Sequence, residues 1–124
     1  MSRTEERGAV AVEFALLAPV LILLLLGIAE FSRAYNVQVS LSSAAREGVR
    51  VMAIGNNPAA ARTAVKNSIP ALQPAVSDAN ITFSPSSCTS GAQMTLKISY
   101  TLSTMTGIAG PFAMEGRSVM LCGG

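Results

Sequence analysis

The sequence predicts an α+β fold in which one long N-terminal helix packs on a small antiparallel sheet of about three strands. Three observations carry this prediction. An apolar stretch near the N-terminus contains no charged residue from Phe14 to Ala29. A helical pattern follows it directly, with apolar residues three or four positions apart. Further along the chain, apolar and polar residues alternate, which is typical of a half-buried strand.

The apolar stretch has the composition and length of a membrane-spanning helix. Eleven of the sixteen residues in Phe14–Ala29 are Leu, Ile, Val or Phe. Residues of these types favour membrane insertion by roughly 3–7 kcal/mol in sum. As a helix, residues 9–29 would be about 31 Å long, which matches the hydrocarbon core of a bilayer. We therefore expect residues 9–29 to span a membrane.

Glu13 stands at the beginning of this apolar segment. Its carboxylate costs at most about 2.5–3.5 kcal/mol at the bilayer centre, so insertion survives it. A charged residue inside a membrane segment nevertheless indicates a functional site whose partner has to be identified. The simpler interpretation is a glutamate near the interface that reaches water without a partner. A secretory signal cleaved after Ala29 is a further alternative, because Gly27-Ile28-Ala29 resembles a small-x-small cleavage site.

The helical pattern continues beyond the membrane segment to Gly55-Asn56-Asn57-Pro58, a strong stop signal. One helix is therefore expected from about Val10 to Ala53. The part of this helix after Ala29 carries an apolar stripe on one side and a polar face on the other. The stripe consists of Phe31, Ala34, Val37, Leu41, Ala44, Gly48 and Val51.

The C-terminal part predicts a short second helix at 58–68 and three strands. The strands are expected at Asn80–Ser84, Gln93–Leu102 and Arg117–Cys122. A sheet with one apolar face must cover that face, and the helical stripe is the available cover. Three methionines are assigned to the resulting core: Met52, Met94 and Met120.

Cys88 follows the first predicted strand and Cys122 ends the third. Because the membrane segment favours export of this part of the chain, we expect the two cysteines to form a disulfide. Two buried free thiols in a cytosolic domain are the alternative.

Composition argues against several classes of function. The chain of 124 residues contains no histidine, which removes most zinc sites, the Ser–His and Cys–His pairs, and the commonest general base. The formal net charge of +2 is too small to indicate nucleic-acid binding. We expect neither catalytic residues nor a metal or other cofactor.

The spacing of residues around Gly8 resembles a known processing signal. A polar leader, residues 1–8, ends in Gly8; if Ala9 begins the mature chain, Glu13 is its fifth residue and Phe14 its sixth. This arrangement resembles the type IV prepilin cleavage signal, and the Glu-Phe pair is similar to that of tight-adherence (Tad/Flp) pilins. The resemblance implies cleavage between Gly8 and Ala9 by a prepilin peptidase. It also implies that Glu13 neutralises the new N-terminal amine of a neighbouring subunit.

The part of the helix after Ala29 also resembles a known family. The stretch "SLSSAAREGVRVMA" resembles the membrane-proximal helix of TadE-like pilus-assembly proteins, which implies a pilin-like fold. The residues that match the family pattern and are expected in helix packing are Ala44, Ala45, Arg46, Gly48 and Arg50. An Ala-rich face that packs on the chain's own sheet is a compatible interpretation. "KISYTL" is also similar to the family, but Thr101 stands where members tend to have proline.

Together these resemblances imply a minor pilin or pseudopilin that helps initiate or assemble a Tad/Flp pilus for adhesion and biofilm formation. The expected partners are the prepilin peptidase, other TadE-like and Flp pilins, the assembly platform of the inner membrane and the lipid bilayer. Residues 1–8 would be the cytoplasmic leader, 9–29 the inner-membrane span and 30–124 a periplasmic domain. The arginine distribution slightly favours the opposite orientation, so this topology rests on the resemblance. An unprocessed single-pass scaffold of a secretion system is the alternative.

Overall fold

The computed structural model describes residues 3–72, 75–105, 107 and 110–123, and it confirms the predicted α+β class. Two α-helices precede a sheet of three antiparallel strands in the order β1-β2-β3. Residues 1–33 and 34–124 form two separate compact units. The elements are α1 (Arg3–Gly55), α2 (Pro58–Ser68), a short 3₁₀ helix (Asp78–Asn80), β1 (Ile81–Ser84), β2 (Gln93–Leu102) and β3 (Phe112–Leu121).

Helix α1 begins earlier than expected, at Arg3 instead of Val10, because the polar leader also adopts helical structure. Glu5 and Glu6 lie in its first turn, where the helix dipole favours negative charge. The predicted stop after Gly55 is confirmed.

Two asparagines join α1 to α2. Asn56 adopts a left-handed backbone with φ of 46°, which asparagine tolerates better than most residues. The side chain of Asn57 caps α2 by accepting a hydrogen bond from the backbone N–H of Ala60 at 3.2 Å. Pro58 is the first residue of α2, where a missing N–H costs nothing.

Strand β2 supplies the centre of the sheet and confirms the alternating pattern. Its apolar side chains are all buried: Met94, Leu96, Ile98, Tyr100 and Leu102. The residues between them include exposed polar side chains such as Ser99 and Thr101. One face of the sheet is therefore apolar and needs a cover.

The part of α1 that belongs to the second unit covers this apolar face. Its fully buried or nearly buried apolar residues are Val37, Leu41, Ala44, Ala45, Val49, Met52 and Ala53. Gly48 is buried among them. The predicted stripe is wrong at Phe31, which is 76% exposed. Helical spacing alone could not distinguish residues that meet the sheet from residues that continue the exposed apolar surface of the membrane segment.

Strand β3 differs most from the prediction, since it begins at Phe112 instead of Arg117 and ends before Cys122. Glu115 and Gly116 interrupt the apolar alternation and conceal its first half. Gly116 has a packing role: a Cβ atom there would lie 2.5 Å from the carbonyl oxygen of Leu41 in α1. The assignment of Met120 to the core is also wrong, because near the end of this edge strand it is 38% exposed.

The C-terminus is tied back to the rest of the domain. The structure joins Cys88, in the β1–β2 connection, to Cys122 by a disulfide with Cα atoms 5.6 Å apart. The backbone N–H of Cys88 donates to the side-chain oxygen of Asn56 at 2.7 Å. The N–H of Gly123 donates to the carbonyl of Ala53 at 3.1 Å. These contacts hold the end of α1, the β1–β2 connection and the end of the chain together.

Gly48 provides a direct test of how closely α1 packs in this domain. A Cβ atom there would clash with the Val65 side chain of α2 and lie 2.7 Å from Leu96 Cδ1 of β2. Although alanine favours helix, we expect Gly48→Ala to destabilise the domain by about 1–3 kcal/mol through overpacking. Thermal unfolding of the full chain in detergent should show a decrease in Tm of at least about 4 °C.

Gly55→Ala is the matched control, because no atom lies within 4 Å of its Cβ position. An unchanged or increased Tm for both variants would contradict this packing of α1 against α2 and β2.

Candidate functional site

The first unit presents an almost continuous apolar surface. Every large apolar side chain between residues 10 and 28 is exposed, from 37% for Leu26 to 71% for Phe14. Helix α1 includes an 18-residue window with a mean hydropathy of 2.7, none of which is buried within the protein. Transfer of each such side chain from water to an apolar environment is favourable by about 1.5–3 kcal/mol. By length and composition, this part of α1 is therefore a candidate membrane span.

Glu13 lies within this apolar surface. Its neighbours in sequence are Val12, 60% exposed, and Phe14, 71% exposed. Among the residues that the structure describes, none forms an ion pair with Glu13. An apolar environment strongly penalises a lone charge, and the described residues supply no counter-charge to Glu13.

Gly8 and Ala9 lie within α1, one helical turn before Glu13. Position i and position i+4 are about 6 Å apart along a helix axis, so Ala9 and Glu13 share a helix face. No atom lies within 4 Å of the position that a Cβ of Gly8 would take. Glycine weakens a helix by roughly 1 kcal/mol relative to alanine. Packing in this fold therefore does not require Gly8, and its presence eases local unwinding of the helix.

The structure divides the five residues expected in helix packing into two groups. Ala44, Ala45 and Gly48 are buried against the rest of the second unit. Arg46 and Arg50 are exposed on another side of α1. The small residues thus serve contacts within this domain, while the two arginines face outwards.

The two arginines line a surface groove of about 660 Å³ between α1, α2 and β3. Glu47 lies beside them on α1, and Met120 contributes an apolar side chain from β3. The remaining lining residues are small or polar: Ser43, Ala64, Asn67, Ser68 and Ser118. With two arginines and one glutamate, the groove carries a net charge of +1.

Part of this chain matches a model of a known protein family. Residues 8–50 match the model of the family "TadE-like protein". This segment is TadE-like. The resemblance of this segment to TadE-like proteins is thereby confirmed, and the match suggests involvement in Tad pilus assembly. No curated protein and no solved structure matches the chain.

The TadE-like segment includes candidate functional residues from both units. It begins at Gly8, includes Glu13 and Phe14 in the first unit, and ends at Arg50 in the second. The sheet lies outside the matched range. A candidate membrane span within a TadE-like segment is consistent with a membrane-anchored protein of the Tad pilus system.

Gly116 and Asn56 have structural roles that the sequence pattern did not predict. Gly116 allows β3 to approach α1, and an isolated glycine within a strand pattern is a signal of close backbone approach that could have identified it. Asn56 was recognised only as part of a stop signal. Its hydrogen bond to Cys88, 32 positions away, depends on tertiary contacts that no local pattern encodes.

The exposed position of the two arginines predicts that they contribute little to the stability of the domain. We expect the double variant Arg46→Ala and Arg50→Ala to change the free energy of unfolding by no more than about 0.5 kcal/mol, as is usual for surface substitutions. Ala45→Leu, at the adjacent buried position, should cost about 1–3 kcal/mol through overpacking. Thermal unfolding of the full chain in detergent provides both values. Equal losses in the two variants would mean that the arginines stabilise the domain.

Proposed function

We propose that this protein is a minor pilin or pseudopilin of a Tad/Flp pilus, which helps to initiate or assemble the filament used for adhesion and biofilm formation. The supporting observation is the position of Glu13. It lies in an exposed apolar helix, four residues after Ala9, in a segment that matches TadE-like proteins. A carboxylate at that position is explained by a positive charge that appears at Ala9.

Cleavage between Gly8 and Ala9 would supply this charge. A prepilin peptidase in the inner membrane would remove the cytoplasmic leader and leave a protonated amine at Ala9. A protease can cut the Gly8–Ala9 peptide bond only after the helix around it unwinds. The small side chain and weak helix propensity of Gly8 favour such unwinding. The domain would then lie in the periplasm, where Cys88 and Cys122 can remain oxidised.

The ion pair between Glu13 and an amine explains how subunits could align. An isolated charge in an apolar environment is heavily penalised, whereas an ion pair of good geometry recovers most of that cost. The amine of one subunit would therefore position itself beside the carboxylate of its neighbour and set the axial register of the two helices. The exposed apolar side chains of α1 would exchange lipid for other pilin helices as the assembly platform extracts the subunit.

The size of the domain favours a minor subunit. Residues 56–124 follow α1 and form a folded structure with their own sheet, whereas the major subunits of such pili are much shorter and have almost no domain. The domain is proposed to have a structural and not an enzymatic role. Its partners would be the prepilin peptidase, other TadE-like and Flp pilins, and the assembly platform.

The mature N-terminus distinguishes this proposal from its alternatives. We expect the protein purified from native membranes to begin at Ala9, as determined by mass spectrometry of its N-terminal peptide. A protein that begins at Met1 or Ser2 would be an unprocessed single-pass scaffold. A protein that begins at Glu30 would be a domain secreted by an ordinary signal peptide. Either of the last two results would contradict the pilin proposal.

The charge of Glu13 should matter for assembly more than for insertion. Glu13→Gln keeps the size of the side chain but removes the charge, so membrane insertion should be unaffected or improved. We expect the variant to be recovered in sheared pili at about one tenth of the wild-type level or less, which corresponds to a loss of about 1.4 kcal/mol. Quantitative immunoblots of membranes and sheared pili provide the ratio.

Glu47→Gln is the matched control, since it removes an exposed charge from the second unit. The N-terminus of each variant should be determined in the same samples, so that a defect in cleavage is not counted as a defect in assembly. Normal recovery of processed Glu13→Gln in pili would contradict the role of the ion pair.

A further inference from the structure

A small pocket in the second unit is not explained by the proposed function. It lies between α2 and β1 and has a volume of about 320 Å³. Its wall combines apolar, hydroxyl and cationic groups. The lining residues are Pro58, Arg62, Ile81, Thr82, Phe83 and Ser86.

Arg62 is the only charged residue that lines this pocket, and its environment is unusual. The guanidinium carbon lies 4.9 Å from the centroid of the Phe83 ring, a cation–π distance. The Nε atom is buried and has no hydrogen-bond partner among the residues described. A buried donor without a partner costs about 1–3 kcal/mol. The cation–π contact with Phe83 does not satisfy the N–H groups of the guanidinium, because a ring face offers no in-plane acceptor.

The charges around Arg62 leave one positive charge unneutralised. The Nζ atom of Lys66 lies 2.7 Å from the carboxylate of Asp78. The hydrogen bond from Lys66 is the main reason that the pKa of Asp78 is lowered, and the positive charges of Lys66 and Arg62 lower it further. The carboxylate of Asp78 is therefore paired with Lys66. Lys66, Arg62 and Asp78 together carry two positive charges and one negative charge. A ligand with a single negative charge would balance this cluster.

We propose that the pocket binds a single carboxylate group, with Arg62 as its charged ligand and the hydroxyl of Ser86 as a polar neighbour. The Thr82 hydroxyl donates to the carbonyl of Lys97 at 3.4 Å and is not counted as a donor. The N–H donors of a guanidinium lie in its plane, and a planar carboxylate fits that fork. A phosphate dianion would leave excess negative charge next to Asp78. The pocket volume lies at the lower end of the range for small-ligand sites, which suits an acidic side chain or a small organic acid.

The carboxylate could come from an acidic residue of another protein chain or from a free organic acid. Both sources place the same group against Arg62, so one experiment can detect the site and identify the source. This inference is independent of the pilin proposal, because it concerns only residues 58–86 and would stand if Ala9 were not the mature N-terminus.

The test is an NMR titration of the full chain in detergent micelles with sodium acetate, at constant ionic strength maintained with chloride. The side-chain Nε–H signal of Arg62 and the amide signals of Phe83 and Ser86 should shift and saturate. Chloride and phosphate should not produce saturating shifts. Arg62→Lys retains the charge but loses the planar fork, so its Phe83 and Ser86 amides should require at least tenfold more acetate. Arg50→Lys, in the separate groove of the domain, should titrate as the wild type does.

The same titration with acetyl-aspartyl-methylamide identifies the source. If this compound binds at least tenfold more tightly than acetate, the ligand is an acidic residue of a protein chain. If acetate binds equally well or better, it is a small organic acid. Linear, non-saturating shifts of the wild-type signals with both compounds would overturn the proposal. So would identical titrations of the wild type and Arg62→Lys. The wild-type result decides the question if Arg62→Lys does not fold.

Discussion

A carboxylate at the beginning of an exposed apolar helix is the constraint on which this account of the protein depends. The exposed apolar surface of residues 10–28 favours lipid or contact with other apolar surfaces over water. In either environment, Glu13 is costly as a lone charge and acceptable as one half of an ion pair. Ala9 lies four positions before Glu13 on the same helix face, so the amine that the proposed cleavage creates would lie close to this carboxylate. In the proposed function, this one electrostatic requirement links processing, membrane storage and helix alignment.

The second unit shows how the same helix can also serve as part of a folded domain. Gly48 allows α2 and β2 to approach α1, and Gly116 allows β3 to approach the same helix at Leu41. Side chains at these positions would separate the elements, since interiors packed to crystal-like density cannot absorb an added methyl group without strain. The TadE-like segment therefore combines an apolar membrane portion with a closely packed domain portion. Arg46 and Arg50, exposed on α1, remain available for contacts beyond the domain.

The sequence predicted those features that depend on local patterns. Asn57 and Pro58 mark the start of α2, and uninterrupted alternation defines β2, so both helix and strand lie where they were expected. Strand β3 was recognised only in part because Glu115 and Gly116 interrupt its pattern. The position of Met120 in a groove depends on how α1 and α2 pack beside β3, which is a tertiary property. The pocket beside Arg62 could not be predicted, because Arg62 and Phe83 are 21 positions apart and meet only when α2 packs beside β1. The sulfur atoms of the two cysteines meet in the structure, and their oxidation in the cell stays a prediction.

Carbodiimide cross-linking can reveal whether an amine lies beside the Glu13 carboxylate. A hydrophobic carbodiimide activates carboxylates in apolar environments, and an activated carboxylate forms an amide only with an amine in contact with it. Applied to native membranes and sheared pili, the reagent should produce an amide between the Glu13 carboxylate and the N-terminal amine of a neighbouring pilin subunit, detectable as a joined pair of peptides by mass spectrometry. If Glu13 instead forms only the N-acylurea adduct and the pilin N-termini remain free, no amine lies beside it and the account is contradicted.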